Sequence, residues 1–360
     1  MFAVLLTGHG GYERLEWRED LSVPEPRDGE VLIRVAAAGV NNTDINTRTA
    51  WYSRAVTEGT TSSAAANGID HAQAADSGWT GTPLAFPRIQ GADACGYIVA
   101  VGNGVDRARI GERVLVEPVF RPPSSTNPRE SIYFGSECDG AFAEFARVPS
   151  RHAHRIESTL EDAELASFPC AYSAAENMLT RAGVRRGETV LVTGASGGVG
   201  SAAVQLARSR GAQVVAVADP AKAADLTGLG AARTLGRDVN VAEALGSESV
   251  DVVIDVVGGQ AFASLLDVLV RGGRYATAGA IAGPVVQLDL RTLYLKDLRL
   301  LGCTVLDHEV FANLIRAIER GEVRPIVAAR YPLERIVDAQ RAFLEKRHVG
   351  KIVLIPPSRV

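Results

Sequence analysis

The chain has 360 residues, of which 46% are hydrophobic and 22% are charged, the composition of an ordinary globular protein long enough for two domains. Its formal net charge of −4 gives no electrostatic reason to expect a nucleic-acid partner, because such partners are bound by basic faces. No apolar run is long enough to span a bilayer.

The N-terminal residues and the cysteines indicate a cellular compartment. The first residues lack the basic segment of a signal peptide and turn polar too early for one. The four cysteines show no C-x-x-C spacing, which favours reduced thiols over a disulfide framework. We therefore predict a cytoplasmic protein without a membrane or nucleic-acid partner.

The first part of the chain is predicted to be rich in β-strands, which Gly and Pro turns separate. The expected strands are 1–6, 15–18, 31–37, 96–101, 113–118 and 141–148.

Residues 50–85 interrupt this pattern, because they contain few large apolar side chains. A long segment of this kind is typical of a lid, a binding loop or disorder. The aromatic residues at its margins, Trp51, Tyr52, Trp79 and Phe86, are expected to anchor the loop rather than to contact a ligand.

The clearest motif lies between residues 189 and 217. An apolar strand at 190–192 is followed by a glycine-rich loop, a helix that ends near Gly211 and a second strand at 213–217. This is the A-x-G-x-x-G variant of the dinucleotide fingerprint, in which the helix N-terminus offers free N–H groups to a pyrophosphate. The predicted cofactor-binding residues of the loop are Ala195, Ser196, Gly197, Gly198, Val199 and Gly200.

Strands and helices alternate after this motif, with further strands at 250–257, 273–278 and 298–304. This alternation predicts an α/β fold with a doubly wound parallel sheet. Ligands of such sheets lie outside the carboxyl ends of the strands. The residues expected to line the nicotinamide half of the cofactor site are Val257, Gly258, Ala278 and Gly279.

The C-terminal part contains predicted helices at 309–320 and 333–346 and a last strand at 351–355, which is expected to return to the first domain. The predicted domains are therefore 1–162 and 307–360, which together form a β-rich domain, and 163–306, the nucleotide-binding domain inserted between them.

Six segments of the chain resemble the medium-chain dehydrogenase/reductase superfamily and, within it, the zinc-free quinone oxidoreductase branch. They are VLIRVAAAGVNNTD, IQGADACGYIVAVG, GERVLV, GETVLVTGASGGVGSAAVQLA, VDVVIDVVGG and HVGKIVL. The resemblance implies a Rossmann domain inserted in a GroES-like catalytic domain, and a cofactor contact from Lys351 in the last segment. It also implies a homodimer or homotetramer that pairs through the edge strand near 298–305.

The resemblance also indicates how this chain departs from zinc alcohol dehydrogenases. Where those enzymes open a C-x-T-D loop with a Cys ligand, this chain has Asn41, followed by Thr43 and Asp44. Their G-H-E motif is G-A-D here, with Ala92 in place of the His ligand. Only Cys170 matches the third ligand, and it is equally well explained as a buried core thiol. One ligand of three is too few for a catalytic zinc site, so we predict no metal.

Without a metal, the resemblance implies hydride transfer from a nicotinamide cofactor to a quinone or an α,β-unsaturated carbonyl. The predicted catalytic residues are Asn41, which would donate to a carbonyl oxygen, and Thr43, which would touch the nicotinamide ribose and the substrate. Asp44 is expected to brace the loop. Taken alone, Asn41 is more typical of a turn, and it is the resemblance that favours a catalytic role.

A tyrosine follows this loop in quinone oxidoreductases, but its position falls at about Asn46 in this chain. Tyr52, or else Trp51, is the candidate that would take its place.

The residues that follow the predicted strand at 213–217 favour NADPH as the cofactor, and NADH stays an alternative. The family's acidic position falls on Ala218, which leaves room for a 2′-phosphate, and Asp219 follows it. Lys222 stands where NADPH-using relatives hold a Lys, and Arg237 lies near another phosphate-binding position. An inward Asp219 would repel the phosphate, and Lys222 is also compatible with a solvated helix residue.

Two other functions stay open. One is a zinc-type alcohol or aldehyde dehydrogenase, and the other is a non-catalytic, crystallin-like NADPH-binding protein. The retained polar residues Asn41 and Thr43 favour an enzyme over the latter.

Overall fold

A computed structural model describes residues 1–122, 126–127 and 130–357. The segment RPPSSTNPRE at 121–130, which is predicted from the sequence to be a surface loop, lies partly outside the described residues.

The N-terminal part consists of short strands that polar turns separate, as expected from its Gly and Pro spacing. Its strands are β1 (Ala3–Leu6), β2 (Leu15–Arg18), β3 (Glu30–Gly39), β4 (Arg88–Ile89), β5 (Cys95–Val101), β6 (Arg113–Val116), β7 (Val119–Phe120), β8 (Ile132–Tyr133), β9 (Phe145–Pro149) and β10 (Ala153–Arg155). Its helices are α1 (Asn42–Arg48), α2 (Ser62–Asn67) and α3 (Asp162–Leu165).

The remainder of the chain alternates between helices and strands. The strands are β11 (Thr189–Val192), β12 (Gln213–Val217), β13 (Arg233–Leu235), β14 (Val250–Asp255), β15 (Leu269–Thr277), β16 (Arg299–Gly302), β17 (Val327–Pro332) and β18 (Lys351–Ile355). The helices are α4 (Pro169–Arg181), α5 (Gly198–Ser209), α6 (Ala223–Leu229), α7 (Val241–Leu245), α8 (Phe262–Asp267), α9 (Leu290–Leu295), α10 (Val310–Glu319) and α11 (Ile336–Leu344).

The nucleotide-binding part is built on one six-stranded parallel sheet. Its strand order is β13-β12-β11-β14-β15-β16, and every neighbouring pair is parallel. The order reverses at β11, which is the topological switch point where doubly wound sheets bind their ligands. Apolar side chains cover both faces of this sheet. The doubly wound Rossmann fold predicted from the sequence is confirmed.

The β-rich part contains a seven-stranded sheet in the order β10-β6-β5-β3-β18-β17, with β9 also paired to β3. The last strand, β18, runs antiparallel to β3 and pairs Val353 with Gly39. The end of the chain therefore lies beside the point where β3 leads into α1. The GroES-like sheet predicted from the sequence is confirmed, with the C-terminal strand within it.

The expected domain boundaries at 162/163 and 306/307 stay predictions. Helix α10 packs against α4. After residue 306, the chain returns to the seven-stranded sheet only at β17.

Two local differences from the sequence expectations have a physical cause. The residues from 163 to 180 are predicted from the sequence to be helical, and the structure divides them into α3 and α4, because Pro169 lacks an N–H group and begins the second helix. The insertion contains a helix, α2, where none was expected, and the side chain of Thr61 caps it by accepting the N–H of Ala64. None of the helices in the described ranges has the length and apolarity needed to cross a membrane.

Candidate active site

The junction between β3 and α1 is fixed by its own polar groups. Asn41 is the N-cap of α1, and its backbone N–H donates to the Asp44 carboxylate at 2.7 Å. The side chain of Gln90 donates to the backbone oxygen of Asp44 at 2.8 Å. These bonds hold the first turn of α1, which carries three of the four predicted catalytic residues.

A buried ion pair lies at the centre of the site. The ammonium group of Lys351 donates to the carboxylate of Asp93 at 2.8 Å, and the two side chains are 3% and 0% exposed. The ammonium group also donates to the backbone oxygen of Val40 at 2.9 Å and to the side-chain oxygen of Asn41. All three of its hydrogens therefore have protein acceptors, which a buried ammonium requires.

The remaining polar atoms of Asn41 and Asp93 are also engaged. The amide nitrogen of Asn41 donates to Asp93 at 2.8 Å and to the backbone oxygen of Gly39 at 3.3 Å. The other oxygen of Asp93 accepts the backbone N–H of Cys170 at 2.6 Å. The donor role expected for Asn41 towards a substrate carbonyl would require one of these bonds to open.

Lys351 was predicted to bind the cofactor, and the structure places it at the joint between the two parts of the molecule. The neighbouring Gly350 donates its N–H to the backbone oxygen of Ser196 in the glycine loop at 3.0 Å. A Cβ atom on Gly198 would lie 2.8 Å from Cδ of Lys351. The stem of Lys351 thus packs on the glycine loop, while its charged end reaches Asp93.

The carboxyl group of Asp44 has a raised pKa. Burial raises the pKa of Asp44 to about 7, against the opposing effects of the Asn41 N–H group and Lys351. Asp44 therefore changes its protonation state near neutral pH.

Two pairs of hydrogen-bonding side chains adjoin this cluster, one through α1 and one through Cys170. The hydroxyl of Tyr52 donates to the hydroxyl of Thr43 at 3.0 Å. The hydroxyl of Tyr133 lies 3.1 Å from the sulfur of Cys170. The ring of Trp79 packs against Tyr133, with 4.5 Å between ring centroids.

Burial holds these groups in their protonated forms. It raises the pKa of Tyr52 and that of Tyr133 above the usual range for tyrosine, and it raises the pKa of Cys170 to about 12. At neutral pH these two tyrosines and this cysteine therefore carry hydroxyl and thiol groups rather than anions.

The glycine loop has the geometry that its sequence predicts. Gly194 has a left-handed φ of 56°, and a Cβ atom on Gly200 would lie 2.2 Å from the backbone oxygen of Gly194. Gly197 is exposed, and the nearest atom to a Cβ there is 3.4 Å away. Gly200 is therefore required for packing, whereas Gly197 leaves the loop backbone accessible.

The other residues predicted around the loop lie with it at the carboxyl edge of the sheet. The backbone N–H groups of Val257 and Gly258 donate to the buried carboxylate of Asp255, which also accepts the hydroxyls of Thr193 and Tyr275. Sequence reasoning missed Asp255, although an acidic residue inside the apolar run VDVVIDVV was a usable signal.

Ala278 and Gly279 follow β15 at this edge, where the Thr277 hydroxyl donates to the backbone oxygen of Gly279 at 3.2 Å. Ser196 and Val199 belong to the loop and to the first turn of α5, and Ala195 is buried beneath it.

A cavity of about 1020 Å³ lies beside the loop at the end of β12. The ammonium group of Lys222 donates to the backbone oxygens of Lys346 and His348 at 2.5 and 2.8 Å and lies 3.4 Å from the hydroxyl of Ser196. Burial, and then the charge of Lys222, lower the pKa of Lys346 to about 8. Lys222 and Lys346 therefore both line this cavity.

Asp219, the acid that would repel a phosphate, forms an ion pair. The carboxylate of Asp219 accepts a hydrogen bond from Arg237 at 2.7 Å and from the N–H of Ala221 at 3.0 Å. The charged residues that line the cavity are Asp219, Asp225 and Glu345 against Lys222, Arg237, Arg324, Lys346 and Arg347. The cavity has a surplus of positive charge.

Tyr133 and Trp79 lie beside the predicted site residues, and sequence reasoning did not identify them as candidates. Trp79 was expected only to anchor the insertion, and Tyr133 carried no signal, because it stands in a short segment with no motif around it. Among the residues that the structure describes, His, Cys, Asp and Glu side chains form no group of three that could hold a metal ion.

Comparisons with known proteins identify relatives along the whole chain. Family models match at residues 27–158, an alcohol dehydrogenase GroES-like domain, and at residues 198–320, a zinc-binding dehydrogenase domain. An acryloyl-coenzyme A reductase of Metallosphaera sedula is 30% identical over 98% of this chain and 99% of its own length. The human quinone oxidoreductase is 27% identical over 99% and 98%. A solved structure of a putative alcohol dehydrogenase from Sinorhizobium meliloti is 47% identical, covers 99% of this chain and 97% of its own, and has a TM-score of 0.88.

Replacing Asp44 by Asn should remove a pH dependence from the folding stability. Because the folded pKa, about 7, exceeds an unfolded value of about 4, this group favours folding fully below about pH 4 and loses that contribution as the pH rises through about 7. Urea unfolding at about pH 5 and about pH 8 measures the slope.

The matched control for this measurement is Asp70→Asn, which removes an exposed carboxyl. Its pH slope should equal that of the native chain, whereas Asp44→Asn should flatten the slope. An unchanged slope in Asp44→Asn would contradict the assignment.

Proposed function

We propose a specific reaction for this chain, which belongs to the medium-chain dehydrogenase/reductase superfamily, in its quinone oxidoreductase-like branch, and is an NAD(P)H-dependent oxidoreductase. The proposed reaction is the reduction of quinones or α,β-unsaturated carbonyls with NADPH and without zinc. The single observation that carries this proposal is the Lys351–Asp93–Asn41 cluster, which stands where the resemblance places the zinc ligands.

This cluster does not fit a zinc ion. Zinc in such a site needs thiolate, imidazole or carboxylate ligands, but Ala92 stands in place of the His and Asn41 in place of the first Cys. The carboxylate and amide oxygens that remain already accept hydrogens from the Lys351 ammonium group. A second cation at this place would meet the charge of Lys351 with no free ligand to offset the repulsion.

The residues of the glycine loop and of the cavity fit a dinucleotide phosphate. The exposed backbone at Gly197 and the N-terminus of α5 offer N–H groups to a pyrophosphate. Lys222 and Lys346 supply positive charge at the end of β12, and Arg237 offsets the negative charge of Asp219. This charge favours NADPH over NADH, because the 2′-phosphate adds negative charge. When bound, the cofactor supplies a hydride.

The protein then has to hold the acceptor, exclude water and deliver a proton. The rings of Trp79, Tyr133 and Tyr52 provide an aromatic surface for a planar acceptor. The Thr43 hydroxyl gives its proton to the oxygen of the reduced acceptor and takes one from Tyr52; solvent restores the proton of Tyr52. Asn41 and Asp44 hold the loop that carries Thr43.

Chelator-treated protein should oxidise NADPH when a simple quinone or a small enone is added, with no loss of rate relative to untreated protein. The decrease in NADPH absorbance measures the rate. Turnover only after zinc is added, or only with an alcohol and NAD⁺, would instead identify an alcohol dehydrogenase, and binding of NADPH without turnover with any acceptor would identify a non-catalytic protein.

Lys222→Met should raise the KM for NADPH about tenfold or more, because a charge-assisted contact to a phosphate contributes about 1.5 kcal/mol or more. The KM for NADH, measured on the same variant, serves as the internal control and should change little. A parallel rise for both cofactors would show that Lys222 does not read the 2′-phosphate.

We also propose that the chain forms a homodimer through β16, the last strand of the parallel sheet. Its outer edge has no partner strand among the described residues, and the adjoining α9 exposes Leu290, Tyr294 and Leu295 by 63%, 62% and 57%. An exposed strand edge beside an apolar surface favours pairing with a second copy.

Light scattering should give a dimer or a tetramer of dimeric units for the native chain and a monomer for the double variant Leu290→Lys/Leu295→Lys. A monomeric native chain would contradict the proposal.

A further inference from the structure

The carboxylate of Asp255, at the carboxyl end of β14, is fully buried, with 0% of the residue exposed. The groups that donate to it are uncharged, and they are the hydroxyls of Thr193 and Tyr275 and the backbone N–H groups of Val257 and Gly258. A buried carboxylate is tolerated only when hydrogen-bond donors reach it. Asp255 therefore constrains the position of each group that satisfies it.

These donors come from three neighbouring strands and the loops that follow them. The sheet order places β14 between β11 and β15. Thr193 directly follows β11, and Tyr275 lies within β15. The Thr193 hydroxyl also accepts the backbone N–H of Val256 at 3.2 Å. Asp255 thus joins the carboxyl ends of β11, β14 and β15 beside the switch point, where doubly wound sheets bind their ligands.

The backbone contacts of Asp255 fix the shape of the loop after β14. An Asp side chain that accepts N–H groups two and three residues later imposes a turn on the chain. Here the N–H of Val257 lies 2.9 Å and that of Gly258 lies 3.1 Å from the carboxylate. Gly258 has a φ of 65°, and a Cβ atom on it would lie 2.9 Å from the backbone oxygen of Gly283. The turn therefore brings this loop against the loop after β15.

Backbone hydrogen bonds join these two loops. The N–H of Ala282 donates to the backbone oxygen of Val257 at 2.8 Å, and the N–H of Gly259 donates to that of Gly283 at 3.1 Å. On the other side, a Cβ atom on Gly194 would lie 3.1 Å from Cγ2 of Val257. The glycine loop, the loop after β14 and the loop after β15 are therefore contiguous.

The insertion docks on the last of these loops. The backbone N–H of Thr60 donates to the backbone oxygen of Ile281 at 3.0 Å. A Cβ atom on Gly59 would lie 2.4 Å from that same oxygen, so the close approach requires glycine. The loops that meet at Asp255 thus also carry the insertion.

We propose that Asp255 is a positioning residue for the nicotinamide half of the cofactor. The residues predicted to line that half lie in the loops after β14 and β15, and they are Val257, Gly258, Ala278 and Gly279. Asp255 acts through the backbone of these loops and not on the reacting atoms. This inference rests on the proposed use of NADPH and adds a residue that sets where its nicotinamide is held.

The adenine half of the proposed cofactor depends on other contacts. The ammonium group of Lys222, after β12, donates to the backbone oxygens of Lys346 and His348 and lies 3.4 Å from the hydroxyl of Ser196. Loss of the Asp255 carboxylate should therefore weaken a ligand that reaches the nicotinamide loops more than a ligand confined to the end of β12. NADPH and 2′,5′-ADP are such a pair, because 2′,5′-ADP has the adenosine and the 2′-phosphate without the nicotinamide.

Asp255→Asn tests the proposal by calorimetric titration with each ligand, which requires no turnover. Asparagine keeps the shape of aspartate but replaces one acceptor oxygen by a donor group. The dissociation constant of NADPH should rise about tenfold or more, whereas that of 2′,5′-ADP should change by less than about twofold. A carboxylate that only stabilised the fold would leave the ratio of the two constants unchanged.

The matched control is Asp251→Asn, which changes a carboxylate in the same strand. Asp251 lies near the amino end of β14 and accepts the backbone N–H of Thr189 at 2.8 Å. Both dissociation constants should stay within about twofold of their native values. A rise in the ratio equal to that of Asp255→Asn would overturn the proposal, because it would assign the effect to the strand as a whole.

Tyr275→Phe is a milder variant that keeps the proposal testable if Asp255→Asn does not fold. It removes one donor hydroxyl and keeps the ring beside Phe262, with 5.2 Å between ring centroids in the native chain. The dissociation constant of NADPH should rise about threefold or more, with that of 2′,5′-ADP unchanged. Without cofactor, hydrogen exchange followed by mass spectrometry should be faster at 256–259 and 280–283 than in the native chain.

The outcomes distinguish this proposal from the function beneath it. A native chain that binds NADPH, together with variants in which both ligands weaken equally or neither weakens, would overturn the positioning role alone. Unchanged hydrogen exchange of the two loops would also overturn it, because the carboxylate would then not set their shape. A native chain that does not bind NADPH would overturn the proposed cofactor and this inference with it.

Discussion

The buried ion pair between Lys351 and Asp93 is the interaction on which the catalytic side of this protein depends. Removing two charges from water costs several kcal/mol for each ion, which is repaid only when every hydrogen-bonding atom finds a partner. Here the ammonium group has three acceptors, and the carboxylate also binds the start of α4 through Cys170. The pair therefore joins β18, α4 and the junction of β3 with α1 at one point.

This constraint also determines what chemistry the site can perform. The Lys351 ammonium group binds Asn41 and Asp93, two residues in the segments that the resemblance aligns with zinc ligands, and burial raises the pKa of the nearby tyrosines and thiol so that they stay protonated. Such a site supplies hydrogen-bond donors rather than a base. Donors suit the reduction of an electron-poor acceptor, in which negative charge develops on an oxygen, better than the removal of a proton from an alcohol.

The insertion shows where interpretation of the sequence was incomplete. Its composition predicted a binding loop, a lid or disorder, and its aromatic residues were expected to anchor it. In the structure Trp79 packs on Tyr133, Tyr52 bonds to Thr43, and Thr60 bonds to Asn46 and to the loop after β15. Residues 50–85 thus form one wall of the candidate site. Their small polar side chains carry no periodic pattern, so only the contacts themselves identify what each residue does.

The sequence by itself determined the strand, glycine loop and helix of the nucleotide site, the doubly wound sheet and the departure from the zinc ligand set. These features are local: a tight turn, an apolar run or a missing ligand is visible within a few residues. Tertiary structure alone decided that Lys351 would meet Asp93, 258 residues away in the chain, that Tyr133 would meet Cys170, and that Thr60 of the insertion would meet Asn46 of α1. Such meetings depend on how sheets and loops pack in space, and neither periodicity nor spacing along one sequence records which distant side chains will face each other.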